Sequence, residues 1–122
     1  MKIKGEIEFS IVEKNPEYVI SKMPVQNGML NPFGTVHAGA ILWLADVTAT
    51  VLASIKQDKG FPVAVNLFTN LLGNQGDGEI VAEARITRSG KRITVIRTLV
   101  KGNNDKLLAE VLTTHIQSIP QP

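Results

Sequence analysis

The chain has 122 residues, of which 43% are hydrophobic and 20% are charged, close to the average for compact globular domains. It contains no cysteine, which excludes disulfides, thiolate chemistry and cysteine-bound metal clusters. Lysine and arginine number 13 against 11 aspartate and glutamate, a formal net charge of +2, too small an excess to indicate a nucleic-acid-binding protein. A single domain over residues 1–122 is expected at this length.

The N-terminal residues alternate charged and apolar side chains and do not form the apolar core of a secretory signal peptide. We therefore expect a cytoplasmic protein. Ile3, Ile7, Phe9 and Ile11 fall on alternate positions with mostly polar residues between them, a period of two that predicts a half-buried strand. Pro16 interrupts this strand, and a second extended run is predicted over 18–23.

A loop and then one long helix follow. Residues 26–34 are rich in Asn, Gly and Pro and predict the loop. From Ala38 to Ile55 apolar residues surround almost the whole circumference of the predicted helix, which is typical of a buried helix. This segment is also long enough to cross a membrane, but Asp46 lies at its centre, where a carboxylate costs about 2.5–3.5 kcal/mol on insertion scales. We expect no association with a membrane.

Four further strands are predicted after the helix, over 63–72, 79–88, 92–101 and 107–119. The segments between them have the composition of turns, so antiparallel hairpins in a consecutive meander are expected. Because so apolar a helix needs cover on most sides, the predicted fold is α+β, with an antiparallel sheet wrapped around one long central helix.

Asp46 is the residue that core packing explains least. Its helical neighbours at three and four residues are Leu42, Trp43, Ala49 and Thr50, so no polar stripe is present to receive it. A buried carboxylate is costly without partners, and perturbed carboxylates concentrate at functional sites. Three interpretations stay open: a structural Asp bonded to a neighbouring strand or subunit, an Asp left on an uncovered edge, and a catalytic group.

His37 precedes Asp46 by nine residues, which on a helix is half a turn out of phase and roughly 13 Å along the axis. The two side chains cannot meet within one chain, so a site that used both would lie between two copies. The alternative for His37 is a capping or packing role. The backbone N–H groups of Ala38 and Gly39 are unpaired donors at the predicted helix start, which suits an oxyanion hole.

Basic residues are concentrated near the C-terminal strands: residues 85–101 contain six of them and no acidic residue. Arg88, Lys91 and Arg92 flank the turn at 89–90 and should cluster at one hairpin tip. Such a cluster can hold phosphate groups. A solvated strand edge that charge protects against aggregation is the alternative.

The segment 31–39, Asn-Pro-Phe-Gly-Thr-Val-His-Ala-Gly, followed by Leu44-Ala-Asp46, resembles the signature of the hotdog-fold acyl-coenzyme A thioesterases of the phenylacetate-degradation type. The order of elements is similar too, so the resemblance covers most of the chain. It implies a hotdog fold whose chains pair sheet edge to sheet edge, with active sites at the interface, in a homodimer or homotetramer. It also implies hydrolysis of acyl-coenzyme A to free acid and coenzyme A, with no separate cofactor and no metal.

By this resemblance Asp46 activates water or attacks the thioester carbonyl, and Asn31 helps to place the water or the thioester. Ala38, where the family usually has glycine, would polarise the carbonyl through its N–H. The hairpin at 88–92 is similar to family hairpins that contact the coenzyme A nucleotide. Ala64 stands where relatives often have a hydroxyl residue, which favours a second hypothesis, a non-catalytic module that binds or senses acyl-coenzyme A.

Two other possibilities are weaker. A hotdog dehydratase is disfavoured because no histidine lies beside an acid on the predicted helix face. A zinc site is not expected, because the two histidines, His37 and His115, belong to distant segments. The acyl group, and the choice of Asp46 as base or nucleophile, stay open.

Overall fold

The computed structural model describes Lys2, residues 4–55 and residues 62–117. In these ranges two short strands precede one long helix, and four longer strands follow it. The bounds are β1 Ser10–Lys14, β2 Tyr18–Pro24, α1 Ala38–Ile55, β3 Pro62–Leu71, β4 Glu79–Ser89, β5 Ile93–Lys101 and β6 Leu107–Gln117. Short 3₁₀ turns cover Asn27–Met29 and Asn103–Asp105.

The strands form one antiparallel sheet in the order β1-β2-β4-β5-β6-β3. β4, β5 and β6 follow one another as two hairpins, as their turn compositions predict. β3 does not join this meander: it pairs with β6 at the far edge of the sheet, so the expected β3–β4 hairpin is wrong. The connection over residues 72–78 carries the chain past β6 and β5, which the tight turn of a hairpin cannot do.

The first strand starts later than its alternating pattern predicts. Only Ser10–Lys14 pairs with β2, whereas residues 4–9 lie outside the ladder, with the Glu6 N–H donating to the Gly28 carbonyl at 2.9 Å. Ile7 and Phe9 are half-buried against the core all the same. The period of two therefore reflected burial and not strand pairing; Ile3 lies outside the described residues.

The helix α1 begins and ends at the predicted residues and packs on the sheet through β2 to β6. Its first half contributes Leu44 to a core cluster that includes Val111 of β6, and its second half contributes Leu52 to a second cluster that includes Ile96 of β5. Full burial of a leucine stabilises by about 1.5–3 kcal/mol. The helix is long and apolar enough to span a membrane. Only 44% of it is buried, and Trp43 is 46% exposed, so the cover on most sides that its apolar circumference predicted is not present within the described part of the chain. Residues 56–60, whose lysines and glycine predict the end of a helix, lie outside the described residues.

One buried polar contact joins the helix to the sheet. The hydroxyls of Ser21 in β2 and Thr48 in α1 lie 2.7 Å apart, and both side chains are fully buried. Thr48 also donates to the Leu44 carbonyl, and because a hydroxyl has one proton, Ser21 is the donor to Thr48. This contact fixes the rotation of the helix, and with it the direction of Asp46.

The β3 strand lies at the edge of the sheet and carries a row of exposed apolar side chains. Val65, Leu67, Phe68 and Leu71 are between 44% and 63% exposed. A bulge between Ala64 and Asn66 interrupts the ladder with β6. An unpaired apolar edge is a template for pairing with another chain.

Candidate functional site

The start of α1 is capped by His37. The Ala40 N–H donates to His37 Nδ1 at 3.0 Å, and the His37 carbonyl accepts from the same N–H at 3.1 Å. A ring nitrogen that accepts a hydrogen bond has no proton, so the ring hydrogen of neutral His37 lies on Nε2. The structure therefore places His37 in the capping position that the sequence left open as an alternative.

Gly39 allows the ring of His37 to fold over the helix start. A Cβ at position 39 would lie 3.0 Å from His37 Nδ1 and 3.2 Å from its Cε1, so any side chain there must displace the ring. Ala38 and Gly39 are exposed, and no acceptor in the described ranges takes their N–H groups. Two N–H groups at a helix N-terminus can together hold a developing negative charge on an oxygen.

Asn31 holds the loop that precedes the helix. Its Oδ1 accepts from the N–H groups of Phe33 at 2.9 Å and Thr35 at 3.2 Å, and its Nδ2 donates to Thr35 Oγ1 at 2.9 Å. Because an amide nitrogen carries two hydrogens, one donor of Asn31 has no partner in the described part of the chain. That hydrogen can take an acceptor from water or from a substrate.

The connection between β3 and β4 anchors the same loop from the other side. Asn74 Nδ2 donates to the Val36 carbonyl at 2.8 Å, and the Val36 N–H donates to the Gln75 carbonyl at 3.0 Å. These two hydrogen bonds fix the position of the backbone immediately before His37. No sequence pattern predicts them, because the two segments lie far apart along the chain.

Asp46 lies on α1 with its side chain half-buried, and its Oδ1 is buried without a hydrogen-bond partner among the described residues. An unpaired buried acceptor costs about 1–3 kcal/mol. No neighbouring strand in the described chain provides the bond that a structural Asp would make through this oxygen.

His115 lies on the inward face of β6 and is fully buried. Its Nε2 and the Thr113 hydroxyl lie 2.8 Å apart, whereas its Nδ1 is buried without a partner in the described ranges. Burial lowers the pKa of His115, and the negative charge of Asp46 acts on it in the opposite direction. From the sequence, His115 lies in a segment distant from the other candidate residues; in the folded chain the charge of Asp46 acts on it.

The basic hairpin tip forms as predicted. Arg88, Lys91 and Arg92 line one open cleft of about 560 Å³, together with Gly90, Ile93 and Val95. None of the three cations forms an ion pair with a described residue, whereas Arg85 and Arg97 are each paired with a glutamate. The cleft therefore presents unneutralised positive charge.

Within one chain the predicted site residues form two separate groups. Asn31, Ala38 and Gly39 lie at the start of α1, and Asp46 lies more than two turns further along the same helix. This separation is the one expected for a site between two copies. A shared site stays a prediction.

Residues 33–109 match the family model described as the thioesterase superfamily. The match covers more than half of the chain, and the chain belongs to this superfamily. Its sheet around one helix is the hotdog thioesterase fold, as the resemblance implied. The family and the names of its relatives support hydrolysis of thioesters as the general class of reaction.

Among curated proteins, the "Putative esterase" of Deinococcus radiodurans is 36% identical over 81 residues. The match covers 65% of this chain and 50% of the relative, so the chain spans about half the length of that protein.

Two solved structures of one Staphylococcus aureus protein, called a thioesterase enzyme in one of them, are 26% and 25% identical, with TM-scores of 0.87 and 0.89. They cover 90% and 92% of this chain and 93% and 94% of their own. The first is a glutamine-to-alanine variant and the second a glutamate-to-alanine variant. A thioesterase from Haemophilus influenzae, 23% identical with a TM-score of 0.83 over 88% of this chain and 76% of its own, shares the fold.

Proposed function

We propose that the protein hydrolyses acyl-coenzyme A thioesters at a site shared by two copies of the chain. The observation that carries the proposal is Asp46, whose buried Oδ1 has no partner in the described residues. A structural carboxylate would use that oxygen, because leaving it unpaired costs about 1–3 kcal/mol. A carboxylate whose partner is the attacking water or the substrate leaves it unpaired until one of them binds.

Asp46 acts as a general base or as a nucleophile. As a base it takes a proton from water while the water oxygen adds to the thioester carbonyl carbon; the C–S bond then breaks, and the thiolate recovers the proton. The N–H groups of Ala38 and Gly39 from the other copy hold the oxyanion. A general base contributes about 10²–10⁴-fold, and one oxyanion donor about 10²–10³-fold.

Two features favour a site between copies. Asp46 lies too far along α1 to meet Asn31 and the helix start of its own chain, and the exposed apolar edge of β3 fits the same edge of a second copy. We propose a homodimer on this edge and a homotetramer as its further assembly. The glutamine and glutamate substituted in the Staphylococcus aureus protein are separated along that chain by as many residues as Asn31 and Asp46 here.

The first test measures release of free thiol from short-chain, medium-chain and aryl-acetyl coenzyme A thioesters. Asp46→Asn should lower kcat/KM by about 10²–10⁴-fold at an unchanged assembly mass and melting temperature. Glu17→Gln, which neutralises an exposed carboxylate, is the matched control and should behave as the parent. Loss of folding or assembly in Asp46→Asn would instead support a structural Asp.

A second test asks whether the two halves of the site come from different chains. Asp46→Asn and Gly39→Val are each expected to be inactive. Co-expressed, they assemble at random, half of the dimers contain both variants, and each mixed dimer has one intact site of two. Activity should therefore return to about a quarter of the parental value. No recovery despite confirmed mixed dimers would place the whole site in one chain.

We propose that the cations of the hairpin tip hold the phosphates of coenzyme A. Lys91→Gln should raise KM for acyl-coenzyme A several-fold and leave the matching acyl-pantetheine thioester, which lacks the nucleotide, unaffected. Arg85→Gln is the matched control, since Arg85 is already paired with Glu83. An equal effect on both thioesters would assign Lys91 another role.

A non-catalytic acyl-coenzyme A binding module is the second candidate. Two observations favour it: the Asn31 side chain is largely committed to its own loop, and position 64 has no hydroxyl. This candidate requires saturable binding of acyl-coenzyme A without turnover, and an affinity that Asp46→Asn leaves unchanged. Turnover that collapses in Asp46→Asn excludes it.

A further inference from the structure

The accessible face of α1 carries one large aromatic side chain, that of Trp43, which is 46% exposed. Gly39 lies four residues before it and Asp46 three residues after it, so the three positions share one face of the helix. Gly39 is exposed and Asp46 is half-buried. Trp43 therefore lies between two of the candidate site residues, on the side of the helix that a substrate can reach.

Phe9 holds the indole of Trp43 in place. The two rings meet nearly at right angles, with their centroids 5.0 Å apart and an interplanar angle of 78°, which is the edge-to-face geometry that aromatic pairs favour. Phe9 is itself half-buried and packs against the core. Because the ring that contacts the indole is anchored in the core, Trp43 is not free to swing away from the helix face.

The segment before β1 runs beside the first turns of the helix and brings Phe9 to Trp43. At the start of this segment, a Cβ at Gly5 would lie 3.7 Å from His37 Nε2, so the backbone passes close to the residue that caps the helix. Four residues later the segment contacts Trp43 through Phe9. Helical side chains lean toward the N-terminus of their helix, so the indole covers the turn that contains Gly39.

We propose that Trp43 determines specificity, as a wall of the acyl pocket that restricts the substrate to short acyl groups. The inference rests on the thioesterase function proposed above, in which one copy supplies the Gly39 N–H and the other supplies Asp46. Trp43 neighbours both residues on its own helix, so an indole borders each half of the site. A large ring held beside the thioester carbonyl leaves room only for a short chain. Phe9 is a positioning residue, which acts through Trp43.

The kinetic test compares octanoyl-coenzyme A with acetyl-coenzyme A. The parent should favour the acetyl thioester, and Trp43→Ala should raise the ratio of kcat/KM for octanoyl over acetyl about tenfold or more, since one methylene group in an apolar pocket changes kcat/KM about 10–200-fold. Phe9→Ala should shift the ratio in the same direction by a smaller factor, and Phe9→Tyr, which keeps the ring, should keep the parental ratio. Val12→Ala is the matched control, because it truncates an exposed apolar residue of β1.

Assembly mass and melting temperature are measured for each variant. An unchanged ratio in Trp43→Ala, or an equal loss of activity toward both thioesters, would overturn the proposal. A smaller assembly mass in Trp43→Ala would assign the indole to the contact between copies and would overturn it as well. If Trp43→Ala does not fold, Trp43→Leu, which keeps more of the apolar volume, answers the same question.

A second readout does not depend on turnover. Trp43 is the only tryptophan in the chain, so tryptophan fluorescence reports on this position alone. A ketone analogue of butyryl-coenzyme A, in which a methylene group separates the sulfur from the carbonyl, cannot be hydrolysed. It should change the emission in a saturable way, whereas coenzyme A without an acyl group should not.

The fluorescence result separates this inference from the function on which it rests. An emission that the ketone analogue leaves unchanged would overturn the role of Trp43, whether or not the protein hydrolyses thioesters. A saturable change in a protein that hydrolyses no thioester would retain Trp43 as the wall of an acyl pocket and overturn the proposed function alone.

Discussion

The buried contact between Ser21 and Thr48 predicts that substitutions of the two residues have strongly non-additive effects on the free energy of unfolding. Ser21→Ala removes the donor, but Thr48 still donates to the Leu44 carbonyl, so the cost should be about 1 kcal/mol. Thr48→Val leaves the Ser21 hydroxyl buried without its partner, which should cost about 1–3 kcal/mol. The double variant removes both hydroxyls and should be no less stable than Thr48→Val alone. The coupling free energy should therefore be about 1 kcal/mol or more.

Urea unfolding measures the free energy of unfolding of the parent, the two single variants and the double variant. All four proteins must be compared at one protein concentration, because the proposed assembly would make apparent stability concentration-dependent, and their m-values should agree. Ser54→Ala is the control: it removes an exposed helix hydroxyl that donates to the Val51 carbonyl, and its effect should stay within about 0.5 kcal/mol. Additive effects of the two core substitutions would refute the reasoning and show that the two hydroxyls act independently.

Three further predictions concern the helix start, the loop before it and the buried histidine of β6. Gly39→Ala should displace His37 from the Ala40 N–H, cost about 1 kcal/mol of unfolding free energy and lower kcat in the thiol-release assay; an unchanged kcat would show that the cap does not set the oxyanion donors. Asn74→Ala should lower kcat more than it raises KM, because it frees the Val36 carbonyl ahead of the helix; a pure KM effect would contradict this. The folded state lowers the pKa of His115, so the parent should lose stability relative to His115→Phe as pH falls below about 6.5, and parallel stability curves would contradict it.

The helix and the two C-terminal hairpins, which depend on local pattern, were predicted correctly, whereas the alternating pattern before Ser10 reflected burial and not strand pairing. The apolar run of α1 gives its start at Ala38 and its end at Ile55, and the short turns after β4 and β5 indicate true hairpins. The position of β3 was not predictable in this way. Its pairing with β6 depends on residues far apart in the chain, and the turn-like composition of 72–78 suits a hairpin and a crossover equally.

The candidate site shows the same difference between residues that a local pattern reveals and residues that long-range contacts place. Asp46 is conspicuous because the helix around it has no polar stripe, and Arg88, Lys91 and Arg92 cluster because one short turn joins their strands. His115 and Asn74 escaped notice because the packing of the helix on the sheet exposes one to the charge of Asp46, and a long connection brings the other to Val36. Charge patterns within a segment can be found from sequence, whereas contacts made by the crossing of β3 cannot.

The pairing of β3 with β6 also affects when β3 can join the sheet during folding. β3 is synthesised after the helix, yet its partner β6 is the last of the described strands to be made. Pairing over so long a sequence separation is slow, and until it happens Val65, Leu67, Phe68 and Leu71 belong to an unpaired segment. Such a segment is prone to aggregate during synthesis. Slower translation or a lower growth temperature should therefore raise the soluble yield of this protein, and a charged residue in place of Phe68 should reduce the dependence of yield on temperature.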